Sequence, residues 1–407
     1  MTGIKAGVWR ALLAVLIALV APPLNHGNSS PQDILTDKLA FWDQQRKGAN
    51  SQNQTVEPDY WQAAADVGIE FIRLVPDGWK SAERDFLMRD ADRFVDLAAA
   101  DLAHLHRALD DAHAAGIRVV LSMFSLPGAR WRQLNNEQDD SRLWREAEFQ
   151  QQAFHFWHQL AAALNDHPAI VAYNPLNEPH PEKSFGFTRP DSMFWDWQRA
   201  VQGTIADVNE FNRGVVEAIR EIDRSTPILL EGGFYASPPG LTGLKPVSDS
   251  LVLYGFHYYE PWEYTTFRVN GDRYSYPERM PDGGSGYPAH HIMLDTFNEI
   301  DKWAKTHDIP ATRIIASEFG VDRRVAGASR YLTDVIGALN DRGWHWAFYA
   351  FRGDGAWGGM DYELGTGPLG AAFWEAVERG EDPDKHKRRG PNPLWQVISR
   401  ELRTAAQ

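Results

Sequence analysis

After residue 38 the chain alternates short apolar runs with helical patterns, and this alternation constrains the fold more than any other feature. The runs are Leu39–Trp42, Ile69–Val75, Ile117–Met123, Ile170–Tyr173, Pro227–Leu230, Leu251–Phe256, Ile314–Ala316 and Trp344–Ala350. Most are rich in β-branched or aromatic residues and short enough to be buried strands. The helical patterns between them are Asp59–Asp66, Leu97–Ala115, Arg145–Asn165, Ile205–Asp223, His291–His307 and Ser329–Arg342. Gly116 and Gly343 follow two of these helices, where a residue tolerant of positive φ closes the last turn. Strand-then-helix order builds a parallel sheet with helices outside. Eight units in about 370 residues predict a (β/α)8 TIM barrel with long loops. An open doubly wound sheet is the competing architecture.

Three connections are long and aromatic: Ser125–Trp144, His257–His290 and Phe351–Pro393. Each follows a strand, so in a barrel each stands on the C-terminal face, where active sites sit. Their aromatic content argues for ordered, functional loops over disorder. The charged stretch Glu378–Arg389 reads as a solvated connection, and Leu394–Leu402 as a closing helix.

Composition removes several functional classes. At 43% hydrophobic residues, the 407-residue chain has enough apolar material for a sizeable core, so bulk disorder is excluded. With no cysteine, disulfide frameworks, thiolate metal sites and cysteine nucleophiles are excluded. A net charge of −14 repels phosphate backbones and argues against nucleic-acid partners. Sixteen tryptophans suit a protein that stacks on flat-faced ligands as well as one with an aromatic core.

Residues 1–30 read as a targeting segment. Lys5 and Arg10 precede the apolar run Ala11–Ala21, which Pro22 and Pro23 end. Such a run fits a signal peptide and falls short of the about 20 residues that span a bilayer. The expectation is export, to the periplasm or outside the cell, with contact to the membrane only if this segment is retained as an anchor. Residues 31–407 are then expected to form one catalytic domain.

Two glutamates stand at predicted strand ends. Glu178, in Asn174-Pro175-Leu176-Asn177-Glu178-Pro179, follows the fourth strand; Glu318, in Ala316-Ser317-Glu318-Phe319-Gly320, ends the seventh. They are 140 residues apart in sequence, yet strands four and seven face each other across a barrel mouth. Paired carboxylates flanking a glycosidic bond are what hydrolysis with retention requires. A single glutamate at a strand end is ordinarily a loop or cap residue. Two at these ends, one preceded by Asn and one followed by Phe-Gly, are not so easily dismissed.

At these motifs the chain resembles glycoside hydrolase family 5, over about Phe41 to Trp395. The resemblance implies Glu178 as acid/base and Glu318 as nucleophile. It implies that Asn177 bonds the sugar 2-hydroxyl. Arg73, in Phe71-Ile72-Arg73-Leu74, matches the second-strand arginine that keeps the nucleophile ionised. His257 and Tyr259, in Phe256-His257-Tyr258-Tyr259, match the sixth-strand His-x-Tyr, with the tyrosine orienting Glu318. Two positions depart from the family pattern: Phe124 occupies a histidine slot after the third strand, and Tyr349 a tryptophan slot after the eighth. Trp262 and Trp357 are further candidates for sugar stacking, with core packing as the competing role.

Other motifs carry less. Gly353-Asp354-Gly355-Ala356-Trp357-Gly358 fits a dinucleotide fingerprint in letters but opens no clear helix, and no H-E-x-x-H, Walker A or G-x-S-x-G occurs. No cofactor or metal is expected. The expected function is retaining hydrolysis of a β-linked glucan, mannan or related β-glycoside, with an oligo- or polysaccharide as partner. Two alternatives stand beside it: a carbohydrate-binding barrel with reduced turnover, or a transglycosylase using the same glycosyl-enzyme.

Overall fold

The computed structural model describes residues 38–187, 193–281, 289–353 and 358–404. The targeting segment expected at residues 1–30 lies outside them. Eight parallel strands close into a barrel: β1 Lys47–Ser51, β2 Phe71–Leu74, β3 Arg118–Ser122, β4 Ile170–Asn174, β5 Ile228–Glu231, β6 Val252–Tyr258, β7 Ile314–Phe319 and β8 His345–Phe348. β1 pairs with both β2 and β8, which completes the ring. The expected (β/α)8 architecture is therefore present. The helices Pro58–Asp66, Ala99–Ala114, Ala147–Leu164, Val208–Arg220, Ala289–Thr306 and Ala328–Asp341 lie within a few residues of the sequence patterns, and Pro393–Arg403 closes the chain. Among the described residues, no helix is long and apolar enough to cross a membrane.

The first strand corrects the sequence reading. Leu39–Trp42 is not a strand: residues 38–40 are helical and Phe41–Asp43 form a 3-10 turn. Trp42 is fully buried in the same cluster as Phe71, Val120, Leu229, Leu253 and Ile315, and its indole N–H donates to Val171 O at 3.0 Å. It plugs the N-terminal mouth of the barrel. The true β1, Lys47-Gly48-Ala49-Asn50-Ser51, has almost no apolar signal. Its glycine is needed for space, since a Cβ on Gly48 would stand 2.6 Å from the Phe71 ring.

Side chains of a strand alternate between faces with a period of two, so residues i and i+2 point into the barrel together. The inward apolar layer holds Phe71, Val120, Ala172, Leu229 and Ile315. Two residues further along, on the same face, come Arg73, Ser122, Asn174, Glu231 and Ser317, joined by Asn50 two beyond Gly48. Every one of these six is at most 1% exposed. The barrel therefore carries a buried polar layer above an apolar floor, and the C-terminal strand ends stand on it.

The connections after strands also hold helices that the sequence patterns did not foresee, among them Phe194–Val201 after β4 and Ala371–Arg379 after β8. The stretch Glu378–Arg389 is mostly exposed as expected, but Lys387 is buried and donates to Gly353 O at 2.7 Å.

Candidate active site

Arg73 organises the centre of the polar layer. Its Nη1 donates to Glu318 Oε1 at 2.7 Å and to Asn50 Oδ1 at 3.1 Å. Its Nη2 donates to Asn174 Oδ1 at 2.7 Å and Asn177 Oδ1 at 2.6 Å, and reaches Glu231 Oε1 at 3.3 Å. The planar guanidinium, with five donors, suits this multi-partner task as a lysine would not. Because Asn177 gives its oxygen to Arg73, its amide nitrogen points away; that Nδ2 is buried and has no hydrogen-bond partner among the described residues. An unfilled buried donor costs free energy that a ligand oxygen would recover.

Glu318 reaches the mouth through an irregularity. The β6–β7 register shifts between Phe256 and His257, and the β7–β8 register between Ala316 and Phe319. Bulges of this kind re-aim side chains at barrel rims. Tyr259 donates its hydroxyl to Glu318 Oε2 at 2.8 Å, so each oxygen of Glu318 is held by a different donor.

Glu178 lies just past β4 at φ +49°, a left-handed conformation rare for a side-chain-bearing residue. Two bonds hold it there. Its backbone N–H donates to Glu231 Oε2 at 3.0 Å, and its carbonyl meets His180 Nδ1 at 2.6 Å. Its carboxyl Oε1 is 2.8 Å from His257 Nδ1. Burial pushes this carboxyl above the ordinary glutamate value, while the hydrogen bond and charge of His257 pull the other way.

His257 faces carboxylates on both ring nitrogens, with Nε2 3.1 Å from Glu231 Oε1. Burial alone would depress its pKa, but the charges of Glu318 and Glu231 and its carboxylate bonds raise it to about 10. Glu231 shows the converse. Burial favours its neutral form, yet His257 and Arg73 hold it down to about 2. A carboxylate oxygen of Glu178, one of Glu318 and a ring nitrogen of His257 lie within 4.8 Å of one another. Two carboxylates and an imidazole are also a possible ligand set for a metal, but both nitrogens of His257 are taken up by carboxylates here.

Two cavities adjoin at this cluster. The smaller, about 160 Å³, is lined by both Glu178 and Glu318 with Asn177, Tyr349, Phe124, Trp131, Gln52 and Gln133. The larger, about 350 Å³, opens on Glu178 alone of the two and runs along Trp131, His180 and Tyr235. His180 and Tyr235 stack with centroids 4.4 Å apart and planes 10° from parallel. Tyr235 is placed by three consecutive left-handed residues, Phe234, Tyr235 and Ala236, after β5.

The structure thus gathers Arg73, Asn177, Glu178, His257, Tyr259, Glu318 and Tyr349. Trp262 lines neither cavity and is 45% exposed on the β6 connection; Trp357 lies outside the described residues. At the departure site, Phe124 packs against Trp131 at 4.9 Å. Its backbone N–H and that of Ser125 are held by Asp77, whose carboxyl burial pushes up to about 6 despite those bonds. Sequence reasoning missed Glu231, Asn50, Trp131 and Tyr235. For Glu231 a signal existed: a charged residue ending the apolar run Ile228-Leu229-Leu230, the pattern that singled out Glu318.

A closed barrel with carboxylates, an imidazole and a guanidinium gathered at the C-terminal strand ends defines the class of barrel glycosidases. Within that class the chain belongs to the cellulase family, glycosyl hydrolase family 5, whose family model matches residues 41–355. Endoglucanase C of Acetivibrio thermocellus is 26% identical over 204 residues, covering 50% of each chain. Probable glucan 1,3-beta-glucosidase A of Aspergillus fumigatus is 22% identical over 267 residues, 64% of this chain and 56% of that protein. The chain spans about half the length of the curated relatives it matches. Among solved structures, endoglucanase Cel5A of Thermotoga maritima shares the fold at a TM-score of 0.56 and 17% identity, covering 78% of this chain and 92% of that one. Cel5A of Pseudomonas stutzeri in complex with cellobiose shares it at 0.58 and 20%, covering 88% and 92%.

Proposed function

We propose that this chain is a retaining glycoside hydrolase acting on a β-linked glucan, mannan or related β-glycoside. The observation that carries the reading is the approach of Glu178 and Glu318 to within 4.8 Å at the floor of one small cavity. Retention needs carboxyls about 5–5.5 Å apart, whereas inversion leaves room for water at roughly 6.5–9.5 Å. Glu318, ion-paired with Arg73, attacks the anomeric carbon and forms a glycosyl ester. Glu178, whose carboxyl burial shifts toward the neutral form, gives its proton to the leaving oxygen as the glycosidic bond breaks. It then takes a proton from the water that hydrolyses the ester. The unfilled Asn177 Nδ2 is the donor for the sugar 2-hydroxyl. The larger cavity, open on Glu178, receives the leaving group, with the His180–Tyr235 stack and Trp131 as its apolar wall. Relatives named as endoglucanase and glucan glucosidase, and a Thermotoga maritima Cel5A structure with mannotriose, support the choice of β-glucans and mannans. We also propose that residues 31–407 act as one catalytic domain, exported by the segment before it.

The test is a panel of aryl β-glycosides, soluble β-glucans and mannans offered to the wild type, Glu178→Gln and Glu318→Gln. Glu318→Gln is expected to abolish turnover on every substrate. Glu178→Gln is expected to lose natural substrates but to keep part of its first step on aryl glycosides whose leaving group needs no proton. Turnover by Glu318→Gln at a large fraction of wild type would remove the nucleophile assignment.

A further inference from the structure

Three carboxylates and two cations share the buried cluster, and this balance assigns a role to the third carboxylate. Glu231 ends β5 and touches neither cavity. One of its oxygens is 3.1 Å from His257 Nε2, accepts Ser317 Oγ at 2.7 Å and meets Arg73 at 3.3 Å. The other accepts the backbone N–H of Glu178 at 3.0 Å. It therefore sits behind both His257 and Glu178 and grips each.

We infer that Glu231 is a positioning residue for the proposed reaction: its carboxylate fixes His257 as an imidazolium aimed at Glu178 and holds the strained Glu178 backbone in place. The inference rests on the glycosidase reading above.

Charge accounting supports it. Arg73 and His257 are positive, while Glu231 and Glu318 are negative, so the cluster is neutral when Glu178 carries its proton. In the first step the Glu318 oxygen bonds to the anomeric carbon and loses its charge. The glycosidic C–O bond breaks, and the proton of Glu178 leaves with the departing oxygen. The negative charge has moved from Glu318 to Glu178, and the cluster is neutral again. His257 Nδ1 is placed for both states, 2.8 Å from Glu178 and 3.7 Å from Glu318. A neutral imidazole carries one N–H and cannot donate to Glu231 and Glu178 together. Without Glu231 the second cation would have no counter-charge in the layer below the site, and burying an unpaired charge is costly. The other titratable groups around Glu178 are Glu318 from β7, Tyr259 beyond β6 and Tyr235 from the β5 connection; His180 faces its carbonyl.

The test is the pH profile of kcat/KM for the wild type, Glu231→Gln and Glu231→Asp, together with an NMR titration of labelled histidine in the wild type. His257 is identified there by comparison with His257→Asn. Glu231→Gln is expected to lose roughly a hundredfold in kcat/KM. Its alkaline limb should move to lower pH by roughly one unit, because removing a nearby negative charge makes the cluster release its proton earlier. Glu231→Asp, which keeps the charge on a shorter arm, should be slower but keep the wild-type limb. His257 should remain protonated up to at least pH 9. An unmoved limb in Glu231→Gln, or an equal move in Glu231→Asp, overturns the inference. So does a His257 that titrates near its ordinary value, a result that stands even if Glu231→Gln fails to fold. A wild type inactive across the whole panel would sink the glycosidase reading and not the Glu231–His257 pairing, which the NMR titration reads by itself.

Discussion

Glu182 lies four residues beyond Glu178, fully buried, and neither of its carboxyl oxygens has a hydrogen-bond partner among the described residues. Burial pushes its carboxyl up to about 8, so it is mostly neutral at pH 7. An unfolded glutamate titrates near about 4.3. The folded protein therefore binds this proton more tightly than the unfolded chain does. The contribution of Glu182 is most favourable below about pH 4 and is lost as the pH rises towards 8. Glu182→Gln removes the titration. The variant should melt above the wild type at pH 9 by the equivalent of a few kcal/mol, and much closer to it at pH 5. Equal differences at the two pH values in thermal melts would show that Glu182 does not titrate across this range. Asn177 offers a second residue-scale prediction. Asn177→Ala removes both a ligand donor and an Arg73 partner, and should cost about 2–3 kcal/mol of transition-state stabilisation, read as a fall in kcat/KM. The fall should be smaller on 2-deoxyglycosides, which lack the hydroxyl it is proposed to bind.

At the scale of an element, Trp42 and β1 show how the barrel is closed from below. Trp42 is the largest member of the apolar floor cluster and is inaccessible to solvent. Replacing it with Ala leaves a cavity beneath the polar layer and should cost about 3–5 kcal/mol. Chemical denaturation of Trp42→Ala checks this; a loss under about 1 kcal/mol would mean that the floor collapses to fill the space. β1 was hidden from sequence reasoning because period and apolarity reveal strands that pack on both faces, and β1 packs by other means. Gly48 yields its space to Phe71, and Asn50 Nδ2 donates past β8 to Ser317 O of β7 at 2.9 Å. The other seven strands were legible because their inner and outer faces are both apolar near the floor. Glu318 was legible for the same reason: a charge at the end of an apolar run stands out. Glu231 carried that mark as well, but nothing in the local sequence says that β5 ends directly beneath the Glu178 backbone.

Across the whole molecule the last helix, Pro393–Arg403, fastens the end of the described chain to its first strand. Lys47 Nζ from β1 donates to Glu401 O at 2.8 Å and Thr404 O at 2.9 Å, satisfying carbonyls at a helix end. Leu394, Trp395, Ile398 and Leu402 of that helix are all buried. Each contributes about 1.5–3 kcal/mol by burial, so together they rival the total stability of an ordinary domain. A chain ending at residue 392 should therefore fail to give a cooperative unfolding transition by circular dichroism; a sharp melt close to wild type would mean that the barrel closes without it. By itself the sequence determined the strand–helix alternation, which predicts a barrel that the β1–β8 pairing closes, and the two glutamates whose local motifs mark them. Both are properties written within a dozen neighbouring residues, where hydrophobic period and motif spacing operate. The tertiary structure alone decided that Trp42 is a plug and not a strand, that Trp262 stands away from both cavities, and that Glu231, Asn50 and Tyr235 join the site. Those facts depend on contacts between residues far apart in the chain, such as Asn50 with Ser317, 267 positions away. Buried electrostatics acts through distance in space, and a linear pattern carries no measure of that distance.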